Sequence, residues 1–135
     1  MQTADDILSD HFIAVTPEIS VGKAIEQMIE EQTTTLLVVT PDNQLVGTLK
    51  DGTTLRAAMD AHLRHDPVSL HTTRHIASVS SEAPVDFVLE HFVLHDLHFI
   101  PVVGADKRVV GVIARADLLQ AVFGATHAVL GPNSL

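Results

Sequence analysis

Apolar residues recur at helical spacing in two stretches of the chain. Val21, Ala24, Ile25, Met28 and Ile29 stand at i, i+3, i+4, i+7 and i+8, and Val85, Val88, Leu89, Phe92 and Val93 repeat that spacing. Each stretch therefore predicts a helix with one apolar face. Ser20 stands where a helix cap belongs, and Pro84 suits a first helical turn. After each helix comes an apolar run too short to be another: Leu36-Leu37-Val38-Val39, then Phe99-Ile100-Pro101-Val102-Val103. These read as buried strands. Polar turns at 41–44 and 104–107 lead into second strands at 45–49 and 109–113. Leu55, Ala58, Met59 and Leu63 mark a closing amphipathic helix, and Leu118, Leu119, Val122 and Phe123 mark another that Gly124 is expected to stop. Short extended segments, Ile13-Ala14-Val15 and Ala77-Ser78-Val79, precede the first helix of each stretch.

The two stretches are copies. Sliding the chain on itself by 64 positions, the offset between Val15 and Val79, also aligns His11 with His75, Val21 with Val85 and Glu26 with Glu90. The same shift pairs Val38-Val39 with Val102-Val103, Asp42 with Asp106, Val46-Gly47 with Val110-Gly111, Leu55 with Leu119 and Ala57 with Ala121. A β-α-β-β-α unit is thus used twice, in residues 1–63 and 68–127, with 64–67 as linker and 128–135 as a flexible tail. Sixty residues with helices on one face of a small sheet leave the other face bare, so the two copies are expected to pack sheet to sheet with pseudo-two-fold symmetry. The fold class is α/β (α+β).

Composition narrows what such a repeat does. Aromatic residues make up 4% of the chain against 46% apolar residues overall, so the core must be aliphatic. The absence of cysteine excludes disulfides, thiolate catalysis and cysteine-based metal sites. A net charge of −9, with eight scattered Lys and Arg, argues against a nucleic-acid partner. The chain starts without a signal-peptide pattern and has no apolar stretch of membrane-spanning length; the expectation is a cytoplasmic protein with no membrane partner.

The order and spacing of these elements resemble the CBS domain pair, or Bateman module, over nearly the whole chain. The resemblance rests on Ile100-Pro101-Val102-Val103, on the acidic turn after it, on Val110-Gly111-Val112-Ile113 and on the helix starting near Asp117. It implies an adenosine-containing ligand, such as AMP, ADP, ATP or S-adenosylmethionine, in the cleft between the repeats. In that family a hydroxyl residue three positions after the glycine meets ribose or phosphate, and an aspartate three positions later accepts hydrogen bonds from the ribose diol. A carboxylate only accepts, which matches two vicinal hydroxyl donors.

The second copy keeps Gly111 and Asp117 but has Ala114 at the hydroxyl position; the first has Lys50 there and Thr53 at the aspartate position. The resemblance therefore places the better site in the second copy. Asp117 would take the ribose and Arg115 a phosphate, with adenine against Ala77, Ser78, Val79, Ile100 and Pro101. In the first copy Lys50 would replace the hydroxyl by charge pairing. It further implies a flat homodimer joined through helix faces and a separate effector protein that reads the ligand-bound state. The alternative is a pair that has lost its ligand and serves as a dimerisation or docking module.

Two other readings compete. His91 and His95 stand at i and i+4 with His98 close behind, a spacing suited to zinc or nickel, but no carboxylate completes the set, and no metal or other cofactor is expected. Neither a nucleophile elbow nor a glycine-rich phosphate loop is present, so no catalytic residue is assigned and the chain is expected not to be an enzyme.

Overall fold

A computed structural model describes residues 2–130, with side chains described for residues 2–124. The elements run α1 (Ala4–Ile7), β1 (Ile13–Val15), α2 (Val21–Glu30), β2 (Leu36–Val39), β3 (Leu45–Leu49), α3 (Thr53–Met59), β4 (Thr72–Arg74), β5 (Val79–Ser80), α4 (Val85–His95), β6 (Phe99–Val103), β7 (Val109–Ala114) and α5 (Arg115–Leu130), with 3-10 turns at Leu63–His65 and Val68–His71. They form two compact units. The first-repeat unit holds His11–Ile76 and Asp106–Val109; the second-repeat unit holds the chain up to Asp10, Ala77–Ala105 and the chain from Val110 onward.

Each unit has its own sheet. In the first-repeat unit the order is β1-β2-β3-β4, with β1 parallel to β2 and the other pairs antiparallel. The parallel pair needs a crossover, which α2 supplies. Strand β2 is central and buried along its whole length, which explains its unbroken apolar run. The second sheet runs β5-β6-β7, with β5 parallel to β6. Val21, Ala24 and Met28 of α2 pack on Ile13, Val15, Leu36 and Val38; Val85, Val88 and Phe92 of α4 pack on Val79, Ile100 and Val102. Each such fully buried Val, Ile or Leu contributes about 1.5–3 kcal/mol. The Ser20 hydroxyl accepts the Lys23 amide at 3.2 Å and caps α2, whereas Pro84 takes the cap position of α4 with no side-chain bond.

The units are built by exchanging arms. Residues 3–10 belong to the unit whose body is the second copy, and residues 67–74 to the unit whose body is the first. Offset by the same 64 positions, the two arms make matching bonds. Ala4 N–H donates to Ala83 O and Val68 N–H to Ile19 O, both at 2.8 Å; Asp5 N–H donates to Ser81 O and Ser69 N–H to Pro17 O, both at 2.9 Å. Ala4 and Val68 are both fully buried. Thr73 then pairs with Thr48 on the edge of β3, as Ser9 pairs with Val112 of β7.

This arm accounts for the paired glycines. A Cβ on Gly47 would lie 2.0 Å from Thr73 O, and one on Gly111 would lie 2.9 Å from Ser9 O and 2.8 Å from Leu8 Cδ1. Only a residue without a side chain lets the arm backbone approach that closely.

Several local expectations are corrected. The first sheet has a fourth strand, β4, instead of three. The extended segment expected at 77–79 forms a strand only at Val79–Ser80. Within the expected linker 64–67, Arg64 Nε donates to Ala57 O at 2.6 Å and its Nη2 to Ala58 O at 3.0 Å, tying the 3-10 turn to α3. Gly124 does not stop the last helix, which runs to Leu130; a helix-interior glycine costs about 1 kcal/mol and is tolerated. Of the tail expected at 128–135, residues 131–135 lie outside the described residues. Of the residues marking the closing helices, Leu55, Met59, Leu119 and Phe123 face outward, at 75%, 90%, 54% and 60% exposed, whereas Leu118 is buried and Leu63 and Val122 pack against the cores; Thr53 and Ala57 are buried as well.

Candidate functional site

Three of the sequence-predicted residues of the second copy, Ala114, Arg115 and Asp117, stand at the junction of β7 and α5. Ala114 ends β7, and its N–H donates to Asp117 Oδ2 at 2.9 Å. The carboxylate reaches back over the helix start, satisfying an amide that the helix itself leaves unpaired. The other carboxylate oxygen makes no hydrogen bond among the described residues. Asp117 lines a cleft of about 400 Å³ together with Gln2, Asp6, Ile7, Gln120 and Ala121. The floor of the cleft is thus α5 and its wall is the N-terminal arm.

Arg115 is already engaged. Its Nη2 pairs with Asp96 Oδ1 at 2.9 Å, its Nε donates to Leu97 O, and its backbone N–H donates to His98 O at 3.2 Å. Asp96 holds the left-handed position that ends α4, with φ 49°. Arg115 therefore clips the α4–β6 turn to the start of α5. Because it is half exposed and Asp96 almost wholly so, the pair stabilises by at most about 1 kcal/mol.

The expected adenine contacts divide by burial. Ile100 and Pro101 are fully buried and Val79 nearly so, with Val79 and Ile100 in the core of the second-repeat unit. Ala77 and Ala114 are half-buried, and Ser78 is exposed. Lys50 belongs to the other unit, where it is exposed and its side chain makes no bond among the described residues. In that unit the position matched to Asp117 is closed. Thr53 is 1% exposed, its N–H donates to Lys50 O at 3.2 Å, and its hydroxyl accepts Arg56 Nη2 at 3.4 Å.

Gln2, Asp6 and Ile7 were missed by reasoning on sequence. They sit in the arm, before the aligned region begins. The available signal was Thr3-Ala4-Asp5-Asp6, a short capping box in which Asp6 Oδ2 accepts the Thr3 amide at 2.8 Å. Among the described residues no group of three or more metal-ligating side chains comes together.

A repeated unit with a parallel β-α-β start, an antiparallel return strand and a helix led by Gly111 and Asp117 is matched by one family profile, described as CBS domain, over residues 4–60 and again over 64–124. The chain belongs to the CBS domain family. Two solved CBS structures superpose on nearly all of it. CBSX2 in complex with AMP has a TM-score of 0.80 at 21% identity, covering 93% of this chain and 99% of that one. The CBS domain pair of protein MJ0100, in complex with 5-methylthioadenosine and S-adenosyl-L-methionine, has a TM-score of 0.77 at 25% identity, covering 93% and 98%. Among curated proteins, a homoserine O-acetyltransferase of Methanohalobium evestigatum is 25% identical over 113 residues, 84% of this chain and 22% of the relative. An uncharacterised 17.7 kDa protein of Acidianus ambivalens is 22% identical over 107 residues, 79% of this chain and 65% of the relative. The CBS pair thus spans only part of the curated relatives it matches. No helix among its described residues is long and apolar enough to cross a membrane.

Proposed function

We propose that this CBS pair is a regulatory module that binds an adenosine-containing ligand at the Asp117 cleft of the second-repeat unit. The observation that carries the reading is the division of labour in one carboxylate. One oxygen of Asp117 is fixed by the Ala114 amide, and the other, which makes no hydrogen bond among the described residues, is available to accept from the ribose diol in the cleft that Asp117 lines.

The cleft chemistry also ranks the ligands. Its wall carries a second carboxylate, Asp6, and the cation nearest in sequence, Arg115, is spent on Asp96. Two carboxylates disfavour a polyphosphate and favour an adenosine whose 5′ substituent is neutral or cationic, such as 5-methylthioadenosine or S-adenosylmethionine, the ligands bound by the MJ0100 pair. Isothermal titration of the whole chain with these two, AMP and ATP tests the order. The expected result is saturable binding that weakens from the sulfur-containing adenosines through AMP to ATP; tightest binding of ATP contradicts the ranking, and no heat from any ligand contradicts the function.

Signalling follows from linkage: a ligand shifts the module only as far as it prefers one arrangement, and a separate effector protein reads that shift. The module works as a homodimer. In each unit the same three positions are apolar and exposed, Ile29, Leu55 and Met59 in one, Val93, Leu119 and Phe123 in the other. Burying each against a second copy contributes about 1.5–3 kcal/mol, and a self-complementary face joins two copies across a two-fold axis. The same exposed face favours a second reading, a ligand-free docking module, which the titration separates from the first.

A further inference from the structure

We infer that the exposed face of α4 carries a two-histidine site for a borderline divalent metal ion such as zinc or nickel, formed by His91 and His95. The inference stands independently of the adenosine reading. The pair lies one helical turn apart on an 11-residue helix, so the two rings stand on the same side. Their centroids are 5.8 Å apart. With a metal–nitrogen bond of about 2.0–2.1 Å, two imidazoles sharing one ion hold their centroids roughly 5–6 Å apart. Little movement of exposed side chains is needed.

The proton positions favour ligation as well. His91 Nδ1 lies 3.2 Å from Phe87 O. A carbonyl only accepts, so Nδ1 carries the proton and the neutral ring presents its lone pair at Nε2, away from the helix backbone. A backbone carbonyl on the far nitrogen is the usual outer partner of a metal-bound imidazole, fixing tautomer and orientation. The Phe87 ring, 4.4 Å from that of His91 between centroids, limits the ring's rotation further. His95 is exposed and its side chain makes no hydrogen bond or ion pair among the described residues.

Other histidines are worse placed. His71 is held by Asp66 at 2.9 Å, and His62 precedes and His65 ends a single 3-10 turn. Imidazole pairs suit zinc, nickel and copper, and two ligands leave positions for water, so the ion exchanges readily.

Zinc chloride and nickel chloride titrated into the full chain, in a buffer without chelators, test the assignment. The expected result is one ion per chain, with affinity lowered at least about tenfold in His91→Ala and in His95→Ala and unchanged in His62→Ala. Undiminished binding in both α4 variants, or equal loss in His62→Ala, overturns it. A reading on the unaltered chain guards against misfolding of a variant. Paramagnetic nickel should broaden the His91 and His95 ring signals before those of any other histidine; earlier broadening elsewhere overturns the site.

Discussion

The two units share two pairs of left-handed backbone positions, yet they differ where the last helix of each begins. Left-handed residues fall at matching places, Gln32 and Asp96 after the first helix, Asn43 and Lys107 in the hairpin turn. The arms bond alike, and both receive a glycine opposite them. At the helix start, however, one unit buries Thr53 while the other keeps Asp117 half-exposed in a cleft. The repeat is held by backbone requirements, which tolerate many side chains. Ligand chemistry depends on individual side chains, so it changes freely between copies.

That contrast predicts unequal effects from equal substitutions. The largest concerns the glycines. An added Cβ would meet arm backbone at both, but at 2.0 Å on Gly47 and at 2.9 Å on Gly111, where the other close atom is the tip of a flexible leucine. Chemical denaturation should show Gly47→Ala costing about 3 kcal/mol and Gly111→Ala about 1–2 kcal/mol; equal losses would mean that the arms are not held as described.

Next come the hairpin turns. Asn43 Nδ2 donates to Val109 O at 2.9 Å, and Lys107, its counterpart, holds a left-handed φ of 66° with no such bond. In thermal melts Asn43→Ala is expected to lose about 1 kcal/mol and Lys107→Asn to gain roughly 0.5 kcal/mol, since asparagine accepts the left-handed conformation more readily. The helix caps differ in the same way: Ser20→Ala should cost about 1 kcal/mol, and Pro84→Ala, which removes no capping bond, a few tenths at most, about 0.3 kcal/mol.

The repeat and the order of its elements were legible because both rest on spacing: Val21, Ala24 and Met28 did turn inward, as did Val85, Val88 and Phe92. Strand β4 was not legible. Thr72-Thr73-Arg74 is short and polar, and it becomes a strand only because β3 offers an edge and Gly47 a place to lie against. The outward turn of Leu55 and Met59 escaped for a related reason: the apolar spacing of α3 is real, but the core takes its small residues, Thr53 and Ala57. At the site, Asp117 was visible through its place after Gly111. Gln2 and Asp6 were not, because the wall they form depends on the exchange of an arm between copies.

The central claim is that Asp117, and no residue of the first copy, holds the ribose. It is tested most directly by isothermal titration of 5-methylthioadenosine into the wild type, Asp117→Ala and Lys50→Ala. A charge-assisted bond of about 1.5–3 kcal/mol predicts binding weakened about 10- to 150-fold in Asp117→Ala and unchanged in Lys50→Ala. Undiminished affinity in Asp117→Ala, or the larger loss in Lys50→Ala, would contradict the account.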